Sequence, residues 1–342
     1  MVKILNYDIK IGSLSLDQTM TADACQLVSL MTRHDLSASG GHCYVEVLST
    51  KGSLPKLDDK VTIKLGFDGE NTLVFTGKID RVKATIQGFN IYASDGVKDL
   101  MQHDIAKAYE KVTVSKIVKD LLGKAKLSVG TIDEGPKLPS YILHKGITAL
   151  GHLRELANLL GADIYTDAQG KVHVKKVKSQ SAKHKIDYKQ DVLGLDVNQK
   201  SPIFNGVEAV GEGSASSKGA DRFYWLVKDS KGVIDNAKVS NGTVSKGKGS
   251  LSLQYINGAI RSKQAATEIS QAHMQKIAEQ DFYGHVNMLG NPDIGADEYF
   301  KLEQVPSTHH LYKHLASYSA IRINAVQHQI DFKQGFTTRL EF

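Results

Sequence analysis

Phe336-Thr337-Thr338-Arg339-Leu340-Glu341-Phe342, the last seven residues, alternates without a break: Phe336, Thr338, Leu340 and Phe342 against Thr337, Arg339 and Glu341. A period of two is the spacing of a strand with one buried and one solvated face. Lys333-Gln334-Gly335 supplies a turn ahead of it, and Ile330 and Phe332 precede that turn at the same period. The segment reads as a sheet hairpin with no tail beyond it, the expected ending of a part built for a closed assembly.

The same alternation fills residues 1 to about 100. Cys43, Val45 and Val47 alternate with Tyr44 and Glu46, and Val61, Ile63, Leu65 and Phe67 with Lys60, Thr62 and Lys64. Asp68-Gly69 is a turn dipeptide, because glycine tolerates the positive φ of a hairpin turn. Val82, Ala84 and Ile86 follow, opposed by Arg81, Lys83 and Thr85, up to a second turn at Gln87-Gly88. Short strands so spaced predict a small barrel or sandwich.

The period changes after Gly96. Val114, Ile117, Val118, Leu121 and Leu122 have helical spacing, with Gly123 where a C-terminal cap belongs. Ile147, Leu150, Leu153, Ala157 and Leu160 predict a second helix closed by Gly161, running into the strand Asp163–Thr166, a turn at 167–170 and the strand Lys171–Val177. Strands return from about residue 186, at Asp187–Val197 and Gly206–Val210. A polar loop is predicted over 214–250, with Phe223, Tyr224 and Trp225 as its aromatic cluster, then a helix over 262–281 with Ser262 as N-cap. Ile321 and Ile323 share one parity while Val326, Ile330 and Phe332 share the other, which reads as a bulge within one strand. The fold class predicted is α+β, mainly β. Two barrel-like antiparallel β domains, 1–100 and 186–342, flank an α+β unit at 101–185.

At 342 residues, with 41% hydrophobic and 23% charged residues, the chain has the composition of a globular protein of two or three compact units. No apolar run reaches the ~18 residues of a membrane span, so no membrane insertion by this chain alone is expected. MVKILNYDIKIGS has no apolar leader core, so synthesis in the cytoplasm without Sec export is expected. Cys25 and Cys43 are expected to be reduced thiols, and the sequon Asn241-Gly242-Thr243 to be unglycosylated. The net charge of +6 is mild, and the lysine-dense stretch Lys171–Lys189 lacks interleaved aromatics in its lysine-rich part, so a solvated strand face and linker is expected there.

Motifs of chemistry are weak. Gly242–Gly249 nearly matches a phosphate loop, but Gly249 stands where a hydroxyl residue is needed and no strand–loop–helix frame surrounds it. GEGSAS at 211–216 has Ser216 in place of the third glycine of a dinucleotide fingerprint. His310 and His314 are four apart, beside His309, yet no third ligand accompanies them. No nucleophile elbow or catalytic cysteine setting is present. No residue is assigned a catalytic, cofactor-binding or metal-ligating role.

Three segments together resemble the baseplate hub family of contractile tails: late control protein D of tailed phages, the hubs of Mu-like phages, and the N-terminal part of type VI secretion spike proteins. They are ITALGHLRELANLLGADIYTDAQGKVHV (147–174), SPIFNGVEAVGEG (201–213), and the helix 262–281 leading to NMLGNPDIGADEYFKLEQV (287–305) and INAVQHQIDFKQGFTTRLEF. Within the last, Gly290, Pro292, Gly335, Phe336, Thr337 and Thr338 take the family's places. The polar stretch His309–Tyr318 departs from its pattern. The resemblance covers most of the chain and implies a structural, non-enzymatic homotrimer. Its two barrels per subunit would let a threefold ring meet a hexameric tail tube protein and a separate trimeric central spike protein. It also implies contacts with tape measure and other baseplate proteins, in a virion or an injection-device baseplate. A tail-associated cell-wall hydrolase is the alternative, and a nucleic-acid binder using the 171–189 lysines a third reading.

Overall fold

The computed structural model describes residues 4–17, 25–37, 40–49, 54–201, 203–211, 233–240, 243–316, 318–331 and 333–342. Seven antiparallel strands come first: β1 (Leu5–Ile11), β2 (Leu14–Asp17), β3 (Gln26–Asp35), β4 (His42–Leu48), β5 (Lys60–Phe67), β6 (Glu70–Ala84) and β7 (Gly88–Ser94). The expected alternation holds: Val45, Val47, Val61, Ile63 and Leu65 are buried while Lys60 is exposed. Asp68 and Gly69 both take positive φ, at 54° and 95°, as a tight primed hairpin turn requires. A 3-10 helix, Gly96–Met101, follows, its first turn capped by the Asp95 carboxylate accepting from the Val97 N–H.

The middle segment holds β8 (Lys107–Thr113), α1 (Val114–Lys124), β9 (Val129–Ile132), β10 (Lys137–Leu143), α2 (Ala149–Leu160), β11 (Ala162–Thr166) and β12 (Val172–Lys176). Helix α2 ends at Gly161, left-handed at φ 61°. Gly123 is no cap: α1 runs through it. The helix closes in a Schellman turn, with the Lys126 N–H on the Gly123 carbonyl at 3.1 Å and the Leu127 N–H on Leu122 at 3.0 Å. Val114, Ile117, Leu121, Leu150, Leu153 and Leu160 share one core.

Next come β13 (His184–Asp187), β14 (Val192–Gln199), β15 (Gly206–Val210), β16 (Ile234–Ser240), β17 (Thr243–Lys246), β18 (Ser252–Ile256) and α3 (Lys263–Ala278). After a 3-10 turn follow β19 (Phe282–Leu289), β20 (Tyr299–Glu303), α4 (Tyr312–Ala316), β21 (Ile321–Arg322), β22 (Ala325–Asp331) and β23 (Gly335–Glu341). Ser262 caps α3 as expected, its hydroxyl accepting from the Ala265 N–H. Three expectations are corrected. The predicted loop 214–250 is not a loop in its described second part: Ile234–Ser240 and Thr243–Lys246 form a hairpin in a four-stranded sheet, order β17-β16-β15-β18. Phe223, Tyr224 and Trp225, most of GEGSAS, Asn241-Gly242 and Phe332 lie outside the described residues. The parity switch after Ile323 is no bulge, because β21 pairs with β20 while β22 joins a different sheet. Asp187–Val197 is likewise two strands in two sheets, folded at a turn where the Asp191 N–H meets the Asp187 carbonyl.

The mainly β, α+β class holds. The largest sheet has 11 strands in the order β14-β19-β23-β22-β3-β4-β7-β6-β5-β1-β2. It crosses from the first β segment to the last where β3 pairs β22, with Thr32 opposite His328 and His34 opposite Val326. Among the described residues no ladder closes it into a barrel. The sheet curls through side chains: Phe67 packs on Phe336 at 5.6 Å between ring centres, Thr72 Oγ1 donates to Asp293 at 2.7 Å, and His34 Nε2 donates to the Val74 carbonyl at 3.1 Å.

Candidate functional site

The sequence motifs resolve into structural roles. Thr243–Lys246, from the near phosphate loop, is strand β17, and no helix follows to present an anion-binding terminus. The lysine-dense stretch is spent on ion pairs: Lys178 with Asp133 at 2.9 Å, Lys185 with Glu303 at 3.1 Å, Lys183 with Glu298, and Lys175 with Asp297. His310 stacks on His309, with ring centres 4.5 Å apart. Among the described residues no group of histidine, cysteine and carboxylate side chains is arranged to hold a metal ion. Both cysteines are free thiols; burial pushes the Cys43 thiol well up, and Cys25 lies 3.1 Å from the Ser49 hydroxyl.

The most organised polar cluster centres on Arg322, which sequence reasoning missed. Its Nε and Nη2 donate to Asp297 Oδ1 at 2.9 and 2.6 Å, and its Nη1 to Asp163 Oδ2 at 2.8 Å and Glu279 Oε2 at 3.4 Å. Lys276 pairs with Asp163, Lys175 with Asp297, and the Tyr165 hydroxyl donates to Asp297 Oδ2 at 3.0 Å. Three cations thus meet three carboxylates. Asp163 and Tyr165 come from β11, Lys175 from β12, Lys276 from α3, Glu279 from the turn after it and Arg322 from β21. Asp297 sits in the turn before β20 at φ 65°, its N–H bonded to the Ile323 carbonyl at 2.9 Å.

The electrostatics follow from burial. Desolvation alone would lower the Arg322 pKa, but Asp163 and Asp297 outweigh it and raise it. Burial pushes Asp297 up, and Arg322 and Lys175 together more than reverse that, so its carboxyl lies below the usual range. Glu279 goes the other way, because burial wins over its longer contact with Arg322.

Cavities of about 490 and 500 Å³ flank the cluster. The first also holds His34, His173 and His328, but these too have partners. His173 Nε2 meets Asp167 at 3.0 Å, and His328 Nδ1 meets the Thr338 hydroxyl at 3.0 Å. Glu298, held down to about 2, is tied to His184 at 2.6 Å and to Lys183. A charge already paired and neutralised is poorly placed to act as acid, base or nucleophile. The arrangement can instead fix the middle segment against the last one. One signal was available: Asp163 is the charged residue in β11, a strand whose five residues are all buried.

No family model matches the chain, and no curated protein matches it. Solved structures do. The 43 kDa tail protein of prophage MuSo2 from Shewanella oneidensis superposes with a TM-score of 0.66 at 13% identity, covering 98% of this chain and 97% of that one. A tail protein from Neisseria meningitidis MC58 gives 0.64 at 11%, covering 98% and 95%. An E. coli component of the type VI secretion system gives 0.56 at 10%, covering 97% of this chain and 75% of that one. Over nearly its whole length this chain therefore carries the fold of phage tail proteins, the fold that its resemblance to baseplate hubs implied.

Proposed function

We propose that the chain is a structural baseplate hub: a homotrimeric ring that adapts a hexameric tail tube to a trimeric spike, in a phage tail or a contractile injection device. The observation that carries this reading is the end-to-end match to tail proteins, with nearly all of both chains superposed. The charge cluster supports it, since a neutral, fully partnered lock suits a load-bearing part better than a reaction centre. Edge strands support it too. The 11-stranded sheet ends at β2 and β14, and Leu193 on β14 is 59% exposed. Edges of this kind invite a partner strand, and a ring of heterologous contacts supplies one at every subunit until it shuts. Tube, spike and tape measure proteins are the partners this reading names, and the virion or device baseplate its location. Imaging of the purified chain by negative stain at micromolar concentration tests it: threefold rings with a central hole are expected.

A further inference from the structure

Residues 101–185 hold 14 lysines and Arg154 against 8 Asp and Glu, so this quarter of the chain carries the whole positive balance. Its C-terminal lysines are largely neutralised by the ion pairs described above. Those on and beside α1 are not. Lys116, Lys119 and Lys124 lie on the exposed face of the helix, and Lys126 follows it. Among the described residues the side-chain ammonium groups of Lys116, Lys119 and Lys126 have no hydrogen-bond or ion-pair partner. Asp120, the acid on that face, is tied to Lys107 at 2.8 Å and to the Tyr109 hydroxyl.

Two of these lysines stand against local preference. Lys116 occupies the first turn of α1, which holds no acidic residue, although the positive end of the helix dipole disfavours a cation there. Lys126 is left-handed, φ 56°, at the closing position of the Schellman turn, where glycine is usual. Local stability therefore accounts for neither. The exposed face between them carries Gly123, lysines and the already paired Asp120, but no apolar or aromatic anchor. Protein interfaces are depleted in lysine and built on such anchors, and a membrane-lying helix needs an apolar face free to insert. Here Ile117, Val118, Leu121 and Leu122 are committed to the core. Point charges alone are what a phosphate backbone requires.

We propose that the α1 lysine face binds the phosphate backbone of duplex nucleic acid without sequence preference. This is independent of the hub reading. The test is fluorescence anisotropy of the full chain with two labelled DNA duplexes of unrelated sequence, titrated with salt. Binding alike to both is expected, with log K falling against log salt at a slope of about −3.6 for four phosphate contacts. K116Q/K119Q/K124Q should flatten that slope by about 2.7, whereas K178Q/K183Q/K185Q should leave it unchanged. K126G should weaken binding while raising the melting temperature, which separates loss of contact from loss of fold. The proposal is overturned by absence of binding at low salt, by a slope the triple variant does not change, or by poly-glutamate or anionic vesicles binding as tightly as DNA.

Discussion

Arg322 stands between Ile321 and Ile323, and a strand reading gives it a solvent-facing place. In the fold it is buried, because the chain passes there from one sheet to the next, and its partners Asp297 and Asp163 lie 25 and 159 residues away. No local pattern announces partners at that distance, which is why the cluster was illegible beyond the single signal of Asp163. Arg322→Ala leaves two buried carboxylates without their main cation. A loss of about 3–5 kcal/mol in urea denaturation is expected; a loss under 1 kcal/mol would mean that Lys175 and Lys276 suffice. Histidines set a second expectation. Burial lowers the pKa of His34, takes His328 to about 3 and His273 to about 4. The unfolded chain protonates them near their ordinary value of 6.5, while the native fold refuses the proton. Stability is thus full above pH 6.5 and falls below it, by about 2 kcal/mol at pH 5 for each of His328 and His273. Melting temperature measured from pH 7 to 5 should fall steeply, and His328→Leu should flatten the fall.

At the scale of elements, the periodic segments were legible and their ends less so. Gly123 and Gly161 look alike in sequence, each closing an apolar period. Only Gly161 needs its glycine: it is left-handed, and an added Cβ would meet the α3 backbone at Ala272 and His273, 3.0 Å away. Around Gly123 nothing lies within 4 Å. Opposite outcomes follow from thermal unfolding: Gly161→Ala destabilises by at least about 1–2 kcal/mol, and Gly123→Ala stabilises α1 by about 0.5–1 kcal/mol. The split of Asp187–Val197 into two strands was hidden for a related reason. Alternation shows that residues are extended, not which sheet they join.

For the whole molecule, antiparallel β-structure and a helical middle segment could be read from period and turn chemistry alone. The sharing of one sheet by residues some 300 positions apart could not, since strand pairing over such separation leaves no trace in a single sequence. The family resemblance filled that gap, and the superposed tail proteins carry the same fold. What the proposed hub leaves to assembly is the two sheet edges and the pairing of three subunits. Native mass spectrometry of the purified chain at micromolar concentration addresses this most directly, alone and with its spike protein. A mass of three chains is predicted for the chain alone, and that mass plus a bound spike trimer for the mixture; a strictly single-chain species in both would contradict the hub.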